Sequence, residues 1–454
     1  MRLKFKNTLF LRAVEGIITL LFISITLSLY GCQQKKEENF DKKINKIKHV
    51  VVIYMENHSF DNLYGQFEGA NGLSSAKEEN IIQVDKNGRP YDTLPPIPRS
   101  GAIPSNLPNS YFNIDQYISN DKISPGAIHQ YYQEIMQIDS GKMNKFVLYN
   151  PTKAMTMGYY TTKLIPLYRY AKKYTLCDNF FHSGFGGSYF NHIFLIASAP
   201  AEWPDAPEEI VAEVDSTGRM VKNGLITPDG YAVNTIFPEN PWHPEVDSNR
   251  LLPPQTLPTI GDRLSEKGVS WAWYAQGWDN AIAGNRDVYV ASHAPFTYFA
   301  KYAPGTEGRK HLKDENDFLE AANAGTLPSV SFVKPGLGFD EHPGIAPVYL
   351  SENHAINLID AVLNGPNGED ALVILTYDEN GGFWDHVAPP VIDRWGPGTR
   401  VPAIVMGPFA KRGYVDHTQY ETVSILAFIE KRWDLEPLTD RDKNANPLKN
   451  VFRF

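Results

Sequence analysis

The sequence has only 2 cysteines among 454 residues, so a framework of disulfides cannot hold the fold together. One of them, Cys177, lies in an apolar stretch and is expected to be a small buried side chain. Internal repeats and low-complexity tracts are also missing, which argues against a solenoid. The formal net charge of −9 leaves no basic surplus for binding nucleic acid. These shortages favour a globular protein that depends on its hydrophobic core and has no nucleic-acid partner.

A short apolar run near the N-terminus, from Ile17 to Tyr30, is not long enough to span a bilayer comfortably. Basic residues precede it, and it stops at Gly31-Cys32. This order is typical of a bacterial lipoprotein signal, in which the thiol of Cys32 takes the lipid. An ordinary secretory signal and an uncleaved anchor are the alternatives. We expect a signal peptide at residues 1–31 and a lipid-anchored protein exported to the cell envelope, at the outer membrane or cell surface.

The remaining chain is predicted to comprise a polar tether at residues 32–46 and a single catalytic domain at 47–454. Nearly continuous apolar runs, typical of strands buried on both faces of a parallel sheet, alternate with helical patterns. This alternation predicts an α/β sandwich. Residues 200–258 lack clear periodicity and are expected to be an insertion near the substrate entrance. The predicted strands are 49–55, 269–274, 329–333, 371–376 and 401–406, and the predicted helices are 129–138, 164–173, 189–199, 259–267, 314–324, 352–363 and 422–431.

The first polar motif, ENHSFD at residues 56–61, directly follows the first predicted strand. In open parallel sheets, ligands bind outside the carboxyl ends of the strands. Glu56 and Asn57 therefore present two oxygen donors at a place suited to a cation. The motif also suits an ordinary strand-to-helix turn, with Ser59 capping the helix and Asp61 in its first turn. Both interpretations can hold together.

The second motif, GGSYFNH at residues 186–192, places two glycines before Ser188 at the start of an apolar helix. Backbone amides at a helix N-terminus can hold a phosphate group. Ser188 would then be placed to attack phosphorus, with Asn191 and His192 one turn further on. The alternative is that Ser188 only caps the helix, which is the more common role for this local pattern.

The third motif, TYDENGGFWDH at residues 376–386, follows another predicted strand. Its adjacent carboxylates, Asp378 and Glu379, repel each other unless a positive charge compensates them. A metal ion would supply that charge, and a solvated loop is the alternative. Several scattered histidines would matter only together, as donors to phosphate oxygens or as an acid for the leaving group. They are His129, His342, His354 and His417.

These motifs, in this order, resemble the bacterial phosphoesterase family, which contains secreted acid phosphatases and non-specific phospholipases C. Further matches are GKM at 141–143, MGYY at 157–160, EHP at 341–343 and GPGTRVP at 396–402. The resemblance runs from about residue 48 to 433. It implies an alkaline-phosphatase-like fold, which is a three-layer α/β/α sandwich with a mostly parallel central sheet and loop-rich insertions.

The resemblance also implies roles for individual residues and one divalent metal ion, which would be calcium, magnesium, manganese or zinc. His58 stands where some members carry arginine, and Ser188 stands where the phospholipase branch commonly has threonine. The implied metal ligands are Glu56, Asn57, Asp378, Glu379 and Ser188, the implied catalytic residues are Ser188, His129 and His342, and the implied phosphate-binding residues are Asn191, His192 and His354.

The sequence thus predicts a metal-dependent phosphoesterase that uses a serine nucleophile. Serine rather than threonine at position 188 favours a phosphomonoesterase of the acid phosphatase type. The alternative enzyme is a phospholipase C that cleaves phospholipid head groups. Outside enzymes, the 24 Tyr and 8 Trp leave open a glycan-binding surface lipoprotein. The expected partners are a small phosphate ester or a phospholipid, and the membrane through the N-terminal lipid anchor.

Overall fold

The computed structural model describes residues 40–98, 101–285 and 288–454. Lys48–Arg453 form one compact unit, and the described residues before Lys48 belong to another together with Phe454. The predicted signal peptide, Cys32 and most of the predicted tether lie outside the described residues and stay predictions. Within the described ranges, no helix has both the length and the apolar character needed to cross a membrane.

An eight-stranded sheet forms the centre of the larger unit. Across the sheet the order of its strands is β4-β3-β5-β1-β6-β7-β2-β8, and only β7 runs antiparallel to the others. This mostly parallel sheet confirms the predicted α/β class. The strands are β1 (His49–Met55), β2 (Thr175–Cys177), β3 (Trp271–Ala275), β4 (Leu312–Asp314), β5 (Val330–Lys334), β6 (Ala371–Tyr377), β7 (Ala403–Met406) and β8 (Tyr414–Asp416).

The two central strands explain how the sheet is covered and where the site lies. Every residue of β6 is buried, and successive residues of a strand point to opposite faces. Both faces of the sheet are therefore covered, as a three-layer sandwich requires. β1 and β6 are parallel and in register, with Met55 opposite Tyr377. The polar motifs that follow these strands must consequently emerge at the same edge of the sheet.

Each of the seven predicted helices is present, with ends that differ by a few residues. The sheet strands that the sequence did not reveal are β2, β4 and β8, because three residues are too few for a recognisable apolar run. Within Lys48–Arg453 the described α-helices are α1 (Phe60–Tyr64), α2 (Glu78–Ile81), α3 (Tyr131–Ile138), α4 (Tyr168–Lys173), α5 (Ser188–Ala197), α6 (Ile260–Glu266), α7 (Trp278–Ile282), α8 (Glu315–Ala324), α9 (Val348–Leu363), α10 (Val423–Trp433) and α11 (Asp440–Asn444).

The segment at residues 200–258 contains short strand pairs, in agreement with its lack of helical periodicity. It packs beside the loop that carries His129, since Asn234 Oδ1 accepts a hydrogen bond from the backbone N–H of Tyr131 at 3.0 Å. Its strand pairs are Ala201–Glu202 with Tyr231–Ala232, Glu213–Val214 with Met220–Lys222, and Phe237–Pro238 with Leu251–Leu252; elsewhere Phe112–Asn113 pairs with Gly158–Tyr159, and Phe180–Phe181 with Tyr420–Glu421.

Candidate active site

The first and third polar motifs meet where β1 and β6 end. The backbone N–H of Asn57 donates to Oδ1 of Asp378 at 2.9 Å. Asn57 adopts the left-handed backbone conformation with a φ of 68°, which is uncommon outside glycine. The close approach also explains the glycines of the third motif. A Cβ on Gly381 would lie 2.1 Å from the carbonyl oxygen of Asn57, so only glycine fits there.

The second motif brings Ser188 to the same place. Gly186 has a φ of 93°, and a Cβ on it would lie 2.3 Å from the backbone nitrogen of Tyr131. The buried carboxylate of Glu134 fixes this turn by accepting from the N–H of Gly186 at 2.6 Å. Gly187 is the N-cap and offers no side-chain cap, so Ser188 is the first residue of α5. The hydroxyl of Ser188 is therefore free of a capping role.

The Ser188 hydroxyl points towards the first motif. Its Oγ donates to Oε2 of Glu56 at 2.8 Å and lies 3.4 Å from Oδ1 of Asn57. Three motifs that are far apart in the chain thus converge at one point. The N-terminus of α5 adds backbone N–H groups that favour an anion beside Ser188.

Two of the predicted histidines line this cluster with the same orientation. Nδ1 of His129 lies 2.9 Å from the carbonyl oxygen of Ala127, and Nδ1 of His342 lies 2.8 Å from that of Pro343. A proton on Nδ1 satisfies each carbonyl and leaves the lone pair on Nε2. Both Nε2 atoms face the amide nitrogen of Asn57, at 3.0 Å and 3.3 Å. The two rings thus present proton-accepting nitrogens to the site.

The carboxylates of the cluster are strongly perturbed. Burial favours the neutral form of Glu56, but attraction to His293 and Lys334 outweighs it and holds the pKa of Glu56 well below its ordinary value. Burial and repulsion from Glu56 raise the pKa of Asp378. Burial and repulsion from Asp378 likewise raise the pKa of Glu379. The positive charge near these three buried carboxyl groups is therefore too small to compensate all of them.

Lys334 and His293 are functional candidates that sequence reasoning missed. Nζ of Lys334 lies 2.8 Å from Oε1 of Glu56, and Nδ1 of His293 lies 3.4 Å from the same oxygen. Lys334 ends β5, so a polar residue directly after a predicted apolar strand was a usable signal. His293 lies in a short 3₁₀ turn, Ala291–His293, and no pattern marks it in the sequence.

The three predicted phosphate-binding residues lie in different environments in the structure. Oδ1 of Asn191 accepts from the N–H of Gly184 at 2.8 Å, and its amide donates back to the carbonyl of Gly184, so its side chain braces the turn before Ser188. His192 lies in the cluster, with Nε2 3.7 Å from Oε1 of Glu56. His354 pairs instead with Glu315 at 2.9 Å, on the contact between α9 and α8, and is not brought into this cluster.

We expect His354→Gln to leave turnover of a soluble phosphate ester within about twofold of wild type, as for other changes outside a site. The matched change His342→Gln removes an Nε2 atom that faces the cluster and is expected to lower turnover about 100-fold. Steady-state kinetics of the two variants test this difference. An equal loss in both would place His354 in the site after all.

The donors of the cluster fit a divalent cation. Oδ2 of Asp378 and Oε1 of Glu379 are buried and have no hydrogen-bond partner among the described residues. Nδ1 of His192 lies 2.7 Å from the carbonyl oxygen of Ser188, which places its Nε2 lone pair opposite the Glu56 carboxylate. Burial lowers the pKa of His192 to about 4, so this ring is neutral at pH 7. Acceptors that face each other in a buried site are compatible if a cation lies between them.

The ligand atoms on one side of the cluster are close enough for a shared ion. Glu56, His192 and His293 each bring one potential ligand atom to within 4.8 Å of the others. A similar grouping of Asp61, Asp385 and His386 has a different explanation. The buried guanidinium of Arg400 donates to Asp385 at 2.9 Å and to Asp61 at 3.2 Å. That positive charge already compensates the second grouping, which ties the first and third motifs together.

The sequence model of the Phosphoesterase family matches residues 47–436. The chain belongs to the phosphoesterase family. The predicted family is therefore confirmed, and this phosphoesterase is a hydrolase of phosphoric ester bonds. Membership favours an enzyme over the glycan-binding lipoprotein that the sequence left open.

Curated relatives of this phosphoesterase are named phospholipases C. Phospholipase C A of Mycobacterium tuberculosis is 25% identical over 456 residues, covering 90% of this chain and 78% of that protein. Non-hemolytic phospholipase C of Pseudomonas aeruginosa is 24% identical, and the match covers 90% of this chain but only 58% of that protein. Non-specific phospholipase C3 of Arabidopsis thaliana is 22% identical, with 89% and 73% covered.

Among solved structures, a protein of the alkaline phosphatase superfamily from Vibrio parahaemolyticus matches 72% of this chain and 72% of its own. The TM-score is 0.35 and the sequence identity is 9%.

Proposed function

We propose that this phosphoesterase cleaves its substrate with Ser188 as the nucleophile. The observation that carries the proposal is the hydrogen bond of 2.8 Å from the Ser188 hydroxyl to Oε2 of Glu56. This bond gives the hydroxyl proton an acceptor whose pKa is held low, so the acceptor is ionised. The hydroxyl also lies at the N-terminus of α5, where a phosphate group is favoured.

A divalent cation would be held by Glu56, Asn57, Asp378 and Glu379, with Ser188 as a further ligand. When bound, such an ion lowers the pKa of the serine hydroxyl and neutralises a phosphate oxygen. Oxygen donors favour calcium, magnesium or manganese, whereas the nitrogens of His192 and His293 also suit zinc. These donor atoms are thus compatible with each of the four metals that the resemblance implied.

The residues of the chain supply the remaining chemistry in two steps. In the first step the hydroxyl proton of Ser188 passes to Oε2 of Glu56 and Oγ forms a bond to phosphorus, while the bond from phosphorus to the leaving oxygen breaks and that oxygen takes up a proton from solvent. In the second step water attacks the phosphoseryl group, and Nε2 of His129 or His342 accepts a proton from this water, since both lone pairs face the site. Glu56 returns its proton to Oγ as the bond from Oγ to phosphorus breaks, which restores the serine. Lys334 offers positive charge beside Glu56.

Two substrate classes are candidates for this mechanism. The expectation of a phosphomonoester rests on serine at position 188. A phospholipid is favoured by the names of the relatives, all of which are given above as phospholipases C, and it is the substrate class that we propose. The monoesterase remains the alternative outcome of the test.

We expect the chain from Gln33 onward to hydrolyse para-nitrophenyl phosphorylcholine faster than para-nitrophenyl phosphate, measured by release of nitrophenol. A chelator should abolish both activities, because the buried carboxylates then lose their compensating charge. Adding back a divalent metal should restore turnover. Preference for the monoester would instead support the acid phosphatase type. Turnover that survives exhaustive chelation would contradict the metal-dependent mechanism.

A further inference from the structure

Six large apolar side chains are exposed on loops and a helix start near the candidate active site. Isolated exposed apolar residues are ordinary, but a group of them on one face marks an interaction surface. We name this group the apolar rim. Its members are between 39% and 59% exposed, and they are Ile123, Ile128, Leu164, Ile345, Tyr349 and Leu350.

Backbone contacts bring the segments of the apolar rim together. The backbone N–H of Tyr349 donates to the carbonyl of Asn120 at 3.0 Å, and the side-chain amide of Asn120 donates to the carbonyl of Leu164 at 3.0 Å. A Cβ on Gly126 would lie 2.4 Å from the carbonyl oxygen of Pro343, so those two backbones touch. The three chain segments around residues 120–128, 163–164 and 343–350 therefore form one surface.

The apolar rim borders the opening of the candidate active site. Ile128 directly precedes His129, and the N–H of Ile345 donates to the carbonyl of His342 at 3.1 Å. These two histidines lie 6.0 Å apart between their ring centres and are less deeply buried than Glu56, Asp378 and Glu379. A substrate reaching the carboxylates would consequently pass the apolar rim.

The charge around the apolar rim differs from that of the rest of the chain. The formal net charge of the protein is −9, but residues 122–130, 161–169 and 342–351 contain no Asp or Glu. They do contain Lys122, Lys163 and Arg169. Asp121 lies in the segment at 120–128 and pairs with Lys122 at 3.6 Å. An apolar surface with three basic residues and one ion-paired acid at its margin complements a bilayer that contains anionic lipids.

We propose that the apolar rim docks this phosphoesterase onto the surface of an anionic phospholipid bilayer. The aliphatic side chains and Tyr349 insert between head groups, while Lys122 and Lys163 contact lipid phosphates. Docking in this way presents the opening between His129 and His342 to the ester bonds of the lipid. The inference rests on the proposed function, because it assigns a lipid surface as the place where substrate is met.

The test compares the chain from Gln33 onward with its Leu164→Asp/Leu350→Asp double variant. That chain retains the whole compact unit Lys48–Arg453 and removes any lipid on Cys32. Sedimentation with vesicles of phosphatidylcholine and phosphatidylglycerol measures binding. We expect affinity for vesicles and hydrolysis of their lipids to fall at least about tenfold, because two apolar contacts become charged. Turnover of para-nitrophenyl phosphorylcholine should stay unchanged.

Two further variants of the same chain serve as controls. Val391→Asp introduces the same charge at a side chain that is 98% exposed outside the apolar rim, and it should bind vesicles like wild type. Ser188→Ala should also bind vesicles like wild type. An equal loss of binding in Val391→Asp would show a general charge effect and overturn the proposal.

The remaining outcomes separate this inference from the proposed function. Wild type that hydrolyses the soluble ester but does not bind vesicles would overturn docking and leave the proposed chemistry intact. Vesicle binding that is lost in the double variant, without turnover of either substrate by wild type, would support docking and overturn the chemistry. A dimer that the double variant dissociates, with vesicle binding unchanged, would show that a second copy covers the apolar rim instead.

Discussion

Ser188→Ala is expected to lower turnover of para-nitrophenyl phosphorylcholine by at least about 10⁴-fold, as loss of a serine nucleophile does in other hydrolases. The change removes only the oxygen that would attack phosphorus. The fold should persist, because Ser188 is not the cap of α5 and Gly187 occupies that position. Metal content should also largely persist, because Glu56, Asn57, Asp378 and Glu379 remain to hold the cation after the Ser188 oxygen is lost. Steady-state kinetics and elemental analysis of the same sample measure both quantities.

A buried serine elsewhere provides the matched control for Ser188→Ala. Ser331 lies on β5, is buried, and has no hydrogen-bond partner for its Oγ among the described residues. Ser331→Ala should therefore keep turnover within about twofold of wild type. Substantial turnover by Ser188→Ala, with its metal retained, would contradict the nucleophile assignment while leaving the family and the fold as they are.

The sequence predicted those parts of the site that are continuous in the chain. Glu56 and Asp378 each follow a long apolar strand, and parallel strands end at the same edge of a sheet, so their proximity could be anticipated. The glycines before Ser188 likewise indicated a helix start with room for a close backbone approach. Which role Ser188 plays there could not be decided locally, because a capping serine and a nucleophile leave the same pattern.

Other parts of the site depend on packing that the sequence does not display. His293 reaches Glu56 from a 3₁₀ turn that is far from Glu56 in the chain, and no periodicity connects the two residues. His354 was predicted at the site, yet the face of α9 on which it lies is turned towards Glu315 of α8. Helical periodicity places a residue on a helix but does not say which neighbour that face will meet.

The second large effect that we expect is the loss of metal affinity and turnover in Asp378→Asn. Asp378→Asn keeps the shape of the side chain but removes one of three buried carboxylates that face the candidate cation site. Binding of a divalent cation should weaken about 100-fold, and turnover at limiting metal should fall with it, because charge count sets the affinity of such sites. Titration with metal, followed by turnover and by thermal unfolding, measures both.

In metal-free protein, Asp378→Asn should increase stability, whereas it weakens metal binding and turnover. Burial and repulsion raise the pKa values of Asp378 and Glu379 in the folded chain above their ordinary values of 3.8 and 4.5. The folded state then binds more protons than the unfolded state, so the free energy of unfolding of chelated protein falls as the pH rises above those values. Asp378→Asn removes this cost of burying an ionisable carboxyl group and should raise the unfolding temperature of the chelated protein at pH 7.

The two directions together distinguish a metal ligand from a structural carboxylate. A matched control is Glu352→Gln, because burial raises the pKa of Glu352 to about 8 and its carboxyl group is therefore mostly neutral at pH 7. It should leave metal affinity and turnover close to wild type. If Asp378→Asn bound metal as tightly as Glu352→Gln, Asp378 would not be a ligand. If Asp378→Asn instead destabilised the chelated protein, the Asp378 carboxylate would stabilise the fold and would not serve to bind a cation. A site that lacks its compensating positive charge gains stability when a negative charge is removed from it.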